Sequence, residues 1–118
     1  MAKRDSLETL QQMRDFAIEA RDLAAGKSCQ ALDEDLRFRR HSERVAELIG
    51  EAATRLPEEL RDTFPQVPWK QMIGMRNWLI HGYNGIDTHI LWDVLNLRAD
   101  ELILQLNDII TAYELGAN

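Results

Sequence analysis

The stretch Gly74-Met75-Arg76-Asn77-Trp78-Leu79-Ile80-His81-Gly82-Tyr83 decides how the rest of the chain is read. It reads as the last turns of a helix running into a Gly-Tyr-Asn-Gly turn. At about 100° per residue, Trp69, Met72, Ile73, Leu79 and Ile80 share one apolar face, with Arg76 and Tyr83 in its middle. Asn77 and His81, four residues apart, stack on one flank, and Met75 lies on the other. A helix that buries this stripe carries a guanidinium into apolar contact, and an unpaired buried charge is costly. Arg76 therefore needs a carboxylate partner, or a crevice that holds water or an anionic ligand. Arg, His, Tyr and Asn converging on one helix end suit an anion-handling site. They suit equally a structural role: Arg76 in an interhelical ion pair, His81 as a helix-terminal cation, Tyr83 as a half-buried turn aromatic.

Working outward, Pro68 suits the first position of this helix, which runs from Trp69 to about His81. Pro65-Gln66-Val67-Pro68 breaks the chain before it, and Pro57-Glu58-Glu59-Leu60-Arg61 begins a short helical piece. Upstream, Phe38, Val45, Leu48, Ile49, Ala52, Ala53 and Leu56 form the stripe of a long helix starting near Asp33, its expected N-cap. His41 falls on that face and reads as a core-edge histidine, with a role in catalysis as the alternative. Glu51 sits at the border, where it either faces solvent or supports Arg76 as a carboxylate partner. Leu7, Leu10, Met13, Phe16, Ala17, Ala20, Leu23 and Ala24 mark a first helix, roughly Arg4 to Ala25, stopped by Gly26. Lys27 to Ala31 is a short connection. Downstream, Gly82 and Asn84-Gly85 reverse the chain, and Asp87 or Thr88 caps a last helix carrying Leu91, Val94, Leu95, Leu102, Leu106, Ile109, Ile110 and Tyr113. No alternating β-branched run competes. The expectation is an all-α, up-and-down bundle of four main helices plus a short connecting helix, forming a single domain over residues 1–118. Trp78 is the exception to the wheel: it points away from Arg76 and reads as a contact surface, either for a dimer or partner or for base stacking.

The single cysteine, Cys29, excludes an internal disulfide and a Cys-based metal site, and His41, His81 and His89 lack metal-ligand spacing. No metal or cofactor is expected. A net charge of −6 argues against a general nucleic-acid-coating protein. It leaves room for an RNA substrate, because Arg37-Phe38-Arg39-Arg40-His41-Ser42-Glu43-Arg44 offers either a basic patch or a solvated helix face. The absence of a long apolar run and of a signal-like start leads to the expectation of a cytoplasmic protein with no membrane contact.

Arg76-Asn77 through His81-Gly82-Tyr83 resembles the Arg-x-x-x-x-His-x-Tyr signature of HEPN-type ribonuclease toxins of the HepT/MntA system. The resemblance extends through Arg44-Val45-Ala46-Glu47-Leu48-Ile49-Gly50-Glu51-Ala52, Leu56-Pro57-Glu58-Glu59-Leu60, Val67-Pro68-Trp69 and Ile73-Gly74-Met75, to Asp87 and Trp92. It covers roughly residues 30 to 110. What it implies is a small helical subunit that pairs into a homodimer and brings two Arg/His motifs into one cleft. Such a toxin cuts RNA without a metal. It is silenced by a cognate MntA-like nucleotidyltransferase antitoxin that transfers AMP onto the motif tyrosine. By the same resemblance Arg76 and His81 are the catalytic pair, Asn77 a helper and Tyr83 the AMP acceptor. Trp78 fills a position the family does not fix.

The residue types suit that chemistry. An imidazole takes or gives a proton near neutral pH, and a guanidinium answers charge growing on an attacked phosphate. Arg76 and His81 lie about 140° apart on a helix, too divergent to grip one phosphate easily. Either the helix ends early and swings His81 round, or a second protomer completes the site; the dimer answers the geometry better. Two other functions compete: a non-catalytic nucleotide- or substrate-binding subunit of a nucleotidyltransferase, and a purely structural dimerisation domain.

Overall fold

The computed structural model describes residues 3–82 and 87–116, and among them every regular element is helical. The order is α1 (Lys3–Ala24), α2 (Ala31–Glu34), α3 (Leu36–Arg55), α4 (Glu58–Thr63), α5 (Trp69–Ile80), α6 (Thr88–Asp93), a π-helical stretch (Val94–Arg98) and α7 (Ala99–Leu115). The last three run end to end, so four long rods and two short connectors make the expected all-α bundle. None of these helices is long and apolar enough to cross a membrane.

Alanines let the rods approach. Ala17 and Ala20 of α1 and Ala52 and Ala53 of α3 are wholly buried, beside Leu10, Met13, Val45 and Ile49. Leu91, Leu95, Leu102, Leu106 and Ile109 close the core from the last helix. Burying a side chain of this size stabilises by about 1.5–3 kcal/mol. α1 packs against both α3 and α7, while α5 lies mainly on the far side of α3.

Helix ends follow local chemistry, and two expectations are corrected. The N-cap of α3 is Asp35, not Asp33: its carboxylate accepts from the backbone N–H of Arg37 (3.1 Å) and Phe38 (3.2 Å). Asp33 is taken up in the one-turn α2, which ends immediately before this cap. Asp35→Ala is expected to cost about 1 kcal/mol, read as a lower urea midpoint at unchanged slope. His41 is exposed, with Nε2 2.7 Å from Glu19 Oε2 on α1. The buried seam runs one residue further on, through Ser42, Val45, Ala46 and Ile49. At the last helix Asp87 is the cap, accepting from the His89 N–H at 2.8 Å.

Candidate active site

α5 is fixed at its start. Trp69 is buried and its indole Nε1 donates to the Phe64 carbonyl at 2.9 Å, locking the proline-broken approach to the first turn. From there the helix runs along α3 and meets it at Gly50. A Cβ on Gly50 would stand 2.3 Å from Arg76 Cβ and 2.5 Å from the Met72 carbonyl oxygen. No real Cβ tolerates such contacts, so only glycine at this position lets the two backbones approach so closely. Gly50 thereby sets where the stem of Arg76 lies. Sequence reasoning quoted Gly50 only as part of the family pattern; the available signal was an isolated glycine inside an otherwise apolar helical stripe.

Arg76 is half-buried, and its Nε has no hydrogen-bond partner among the described residues. Nη1 donates to Asn77 Oδ1 at 2.8 Å. Among the described residues no carboxylate pairs with it. Glu51, the expected supporting group, is half-buried on α3, but among the described residues its carboxylate does not pair with the guanidinium; its backbone carbonyl also accepts from Thr54 Oγ1. One step along a helix turns a side chain by about 100°, so Glu51 leaves the line along which Gly50 meets Arg76. The ion-pair arrangement for Arg76 is therefore not formed. Asn77 steadies the guanidinium rather than the imidazole.

His81 is exposed and is the first residue beyond α5. Its φ of −79° and ψ of −3° keep it on the helical course, and its backbone N–H donates to the Asn77 carbonyl at 3.1 Å. The helix thus ends at Ile80 with the backbone of His81 still on the helical course. Gly82, with φ +63°, then turns the chain, a left-handed conformation that suits glycine. Tyr83 and the Asn84-Gly85 turn lie outside the described residues.

Two neighbours complete the surface. Trp78 is 43% exposed, as the wheel placed it, and Ile80 is equally exposed, which corrects its place on the buried stripe. The covered arc of α5 is shifted toward Met72, Met75 and Leu79, and its open arc carries Asn77, Trp78, Ile80 and His81. On the covered flank, a cavity of about 310 Å³ separates α5 from the last helix. Among the described residues, no three His, Cys, Asp or Glu side chains gather as a metal ion would require.

The chain matches the ribonuclease HepT-like family over residues 6–109. A candidate RNase of Caldanaerobacter subterraneus subsp. tengcongensis is 36% identical over 107 residues, 91% of this chain and 93% of that protein. A candidate RNase of Methanocaldococcus jannaschii is 50% identical over 52 residues, covering 44% of this chain and 48% of the relative. A candidate ribonuclease HepT of Thermococcus cleftensis is 43% identical over 49 residues, 42% of this chain and 44% of its own length. No solved structure matches the chain.

Proposed function

The chain belongs to the HepT-like ribonuclease family and is a ribonuclease acting on RNA, and from that premise we propose that it is the toxin of a type VII-like HepT/MntA pair. Residues 1–118 act as one domain in the cytoplasm, and two copies pair through the open arc of α5. What supports this reading is a half-buried guanidinium with no carboxylate partner among the described residues, held by its neighbour Asn77. A polyanion supplies the missing counter-charge.

In the proposed reaction the His81 imidazole of one copy takes the proton of a ribose 2′-hydroxyl. The freed oxygen attacks the adjacent phosphorus, and the same imidazole of a second copy gives a proton to the departing 5′-oxygen. The products are a 2′,3′-cyclic phosphate and a 5′-hydroxyl, with no metal required. Arg76 donates to the non-bridging oxygens, where negative charge grows. Because His81 continues the course of α5 instead of turning back, the two groups from one copy diverge, and a dimer brings complementary halves together.

Silencing then falls on Tyr83. Its hydroxyl attacks the α-phosphorus of ATP held by a partner nucleotidyltransferase, pyrophosphate leaves, and the linked AMP carries its phosphodiester charge into the cleft beside Arg76. Tyr83→Phe is expected to keep RNA cleavage while taking no label from radioactive ATP and the partner enzyme; a labelled variant would assign the acceptor elsewhere. The function as a whole is tested by incubating purified protein with total RNA in a metal chelator. Cyclic-phosphate ends are expected, and intact RNA would favour the non-catalytic binding subunit.

A further inference from the structure

One stretch marked out in the sequence, Arg37 to Arg44, is not used by the cleavage reaction. It holds four arginines against one carboxylate, Glu43, in a chain with 14 lysines and arginines and 20 acids. Folding divides the four. Arg39 is half-buried and pairs with Glu43 at 3.5 Å. Arg37, Arg40 and Arg44 recur at three- and four-residue spacing and are all exposed, so they form a stripe about 10 Å long on the open face of α3. Arg44 is engaged by Glu47, whereas among the described residues no carboxylate pairs with Arg37 or Arg40. The two acids immediately before the stripe are occupied elsewhere: Glu34 accepts from Gln30 at 2.7 Å, and Asp35 caps α3. Cations three or four residues apart on one helix face repel each other, so the isolated helix disfavours this stripe and an anion relieves it.

The stripe and the candidate active site share one end and one flank of the bundle. Cys29, ahead of α2, has its Sγ 3.8 Å from the Thr88 carbonyl oxygen and 3.5 Å from His89 Nδ1, so the entry to α3 meets the segment that follows α5. α3 therefore starts where α5 finishes, and the two run antiparallel. From their crossing at Gly50 and Arg76, His81 lies about 8 Å toward that end along α5, and Arg44 and Arg40 lie about 9 and 15 Å toward it along α3. The flank follows from the two helical wheels. Ala46 and Ile49 of α3 line the cavity about 40° and 100° to one side of Gly50, and Arg40 and Arg44 stand about 80° and 120° to the other. Met75 and Gln71 of α5 line the same cavity about 100° and 140° to one side of Arg76, and Asn77 and His81 stand about 100° and 140° to the other. Across the cavity the wall is acidic. From Thr88 to Gly116 the chain has five carboxylates, Asp93, Asp100, Glu101, Asp108 and Glu114, against Arg98, itself shared between Asp93 and Glu101 at 3.4 Å each. A strand leaving the cleavage centre is thus repelled on one flank and met by arginines on the other. We propose that Arg37 and Arg40, with Arg44 leading up to them, hold phosphates of the RNA beyond the cleaved bond, a backbone subsite that reads no base. This rests on Arg76 and His81 being where the strand is cut.

The test uses the full chain and fluorescein-labelled oligo-U and oligo-A about 12 nucleotides long, with every 2′-oxygen methylated so that none can attack. Anisotropy is read across a potassium chloride series for the wild type, for Arg37→Gln/Arg40→Gln, and for Arg4→Gln/Arg55→Gln, which removes the same charge away from the stripe. All four side chains are exposed, so both variants should keep the wild-type circular dichroism. Each phosphate contact on a single strand contributes about 0.7 to the slope of log affinity against log salt. The stripe variant is therefore expected to lose about 1.4 of slope and to bind both RNAs about tenfold or more weakly at low salt, while the control variant keeps the wild-type slope. An equal loss in the control would reduce the stripe to general charge attraction and overturn the proposal. So would an unchanged slope in the stripe variant, or a loss confined to one of the two sequences. Because these RNAs cannot be cut, the slope reports on the subsite whether or not His81 proves to be the base, and wild-type cleavage by His81→Ala would overturn the cleavage centre alone. A wild type that binds neither RNA would overturn both.

Discussion

Replacing His81 with alanine is expected to lower RNA cleavage by about a hundred- to ten-thousandfold, the usual worth of a positioned acid or base. Folding should be untouched, because the side chain is exposed and α5 is capped through the backbone N–H of residue 81, which alanine keeps. Circular dichroism and the urea midpoint should therefore match the wild type while a fluorogenic RNA stays intact in chelator. Arg76→Lys is the companion variant. It keeps most of the aliphatic stem beside Gly50 and the positive charge but loses the forked donors, so a rate well below wild type at unchanged stability would assign the loss to geometry. Wild-type cleavage by the His81 variant would remove the imidazole from the mechanism.

The second large effect is expected far from any reacting atom. In a helix interior alanine is favoured over glycine by about 1 kcal/mol, so Gly50→Ala would stabilise an ordinary position in α3. Here the new methyl group meets Arg76 Cβ at 2.3 Å and the Met72 carbonyl at 2.5 Å. Both obstacles belong to the backbone of α5 or the root of a side chain, and no rotamer change relieves them. α5 must move as a whole. Overpacking of this kind costs about 1–3 kcal/mol, enough to outweigh the propensity gain and to lower the melting temperature by several degrees. The displacement carries Arg76 and Asn77 with it, and a shift near 1 Å at a catalytic group costs about a hundredfold in rate. A Gly50→Ala protein as stable and as active as wild type would show that the helices are not held so close.

The bundle was legible because period 3.6 is strong in α1, α3 and the last helix, and because the prolines at 57, 65 and 68 punctuate the connections. What sequence could not supply was pairing. The wheel for α5 put Ile80 with the buried residues, yet α3 covers a different arc and leaves Ile80 in the open. A wheel gives the shape of a stripe, not the side from which a neighbour comes. His41 and Asp33 were misplaced by one and two residues for the same reason: caps and seams are settled by tertiary contact and by which backbone N–H groups are left over. Arg76, Asn77 and His81 were singled out by their types in an apolar setting. That Asn77 serves the guanidinium, and that Glu51 does not, depended on side-chain reach. Gly50 stood out as an isolated glycine in an apolar stripe, but which neighbour it admits depends on where α5 crosses α3.

The carboxylate-rich last helix also acts on RNA before any contact is made. Its field extends over roughly a Debye length, about 8 Å at physiological ionic strength, and repels a phosphodiester strand approaching from that side. On the proposed reading, strands diffusing along that wall are turned away, and the productive trajectories narrow to those arriving over α5. An acidic protein can, on this reading, be a selective host for a polyanion: the last helix rejects the strand, and the half-buried Arg76, with no carboxylate partner among the described residues, offers it a place to land.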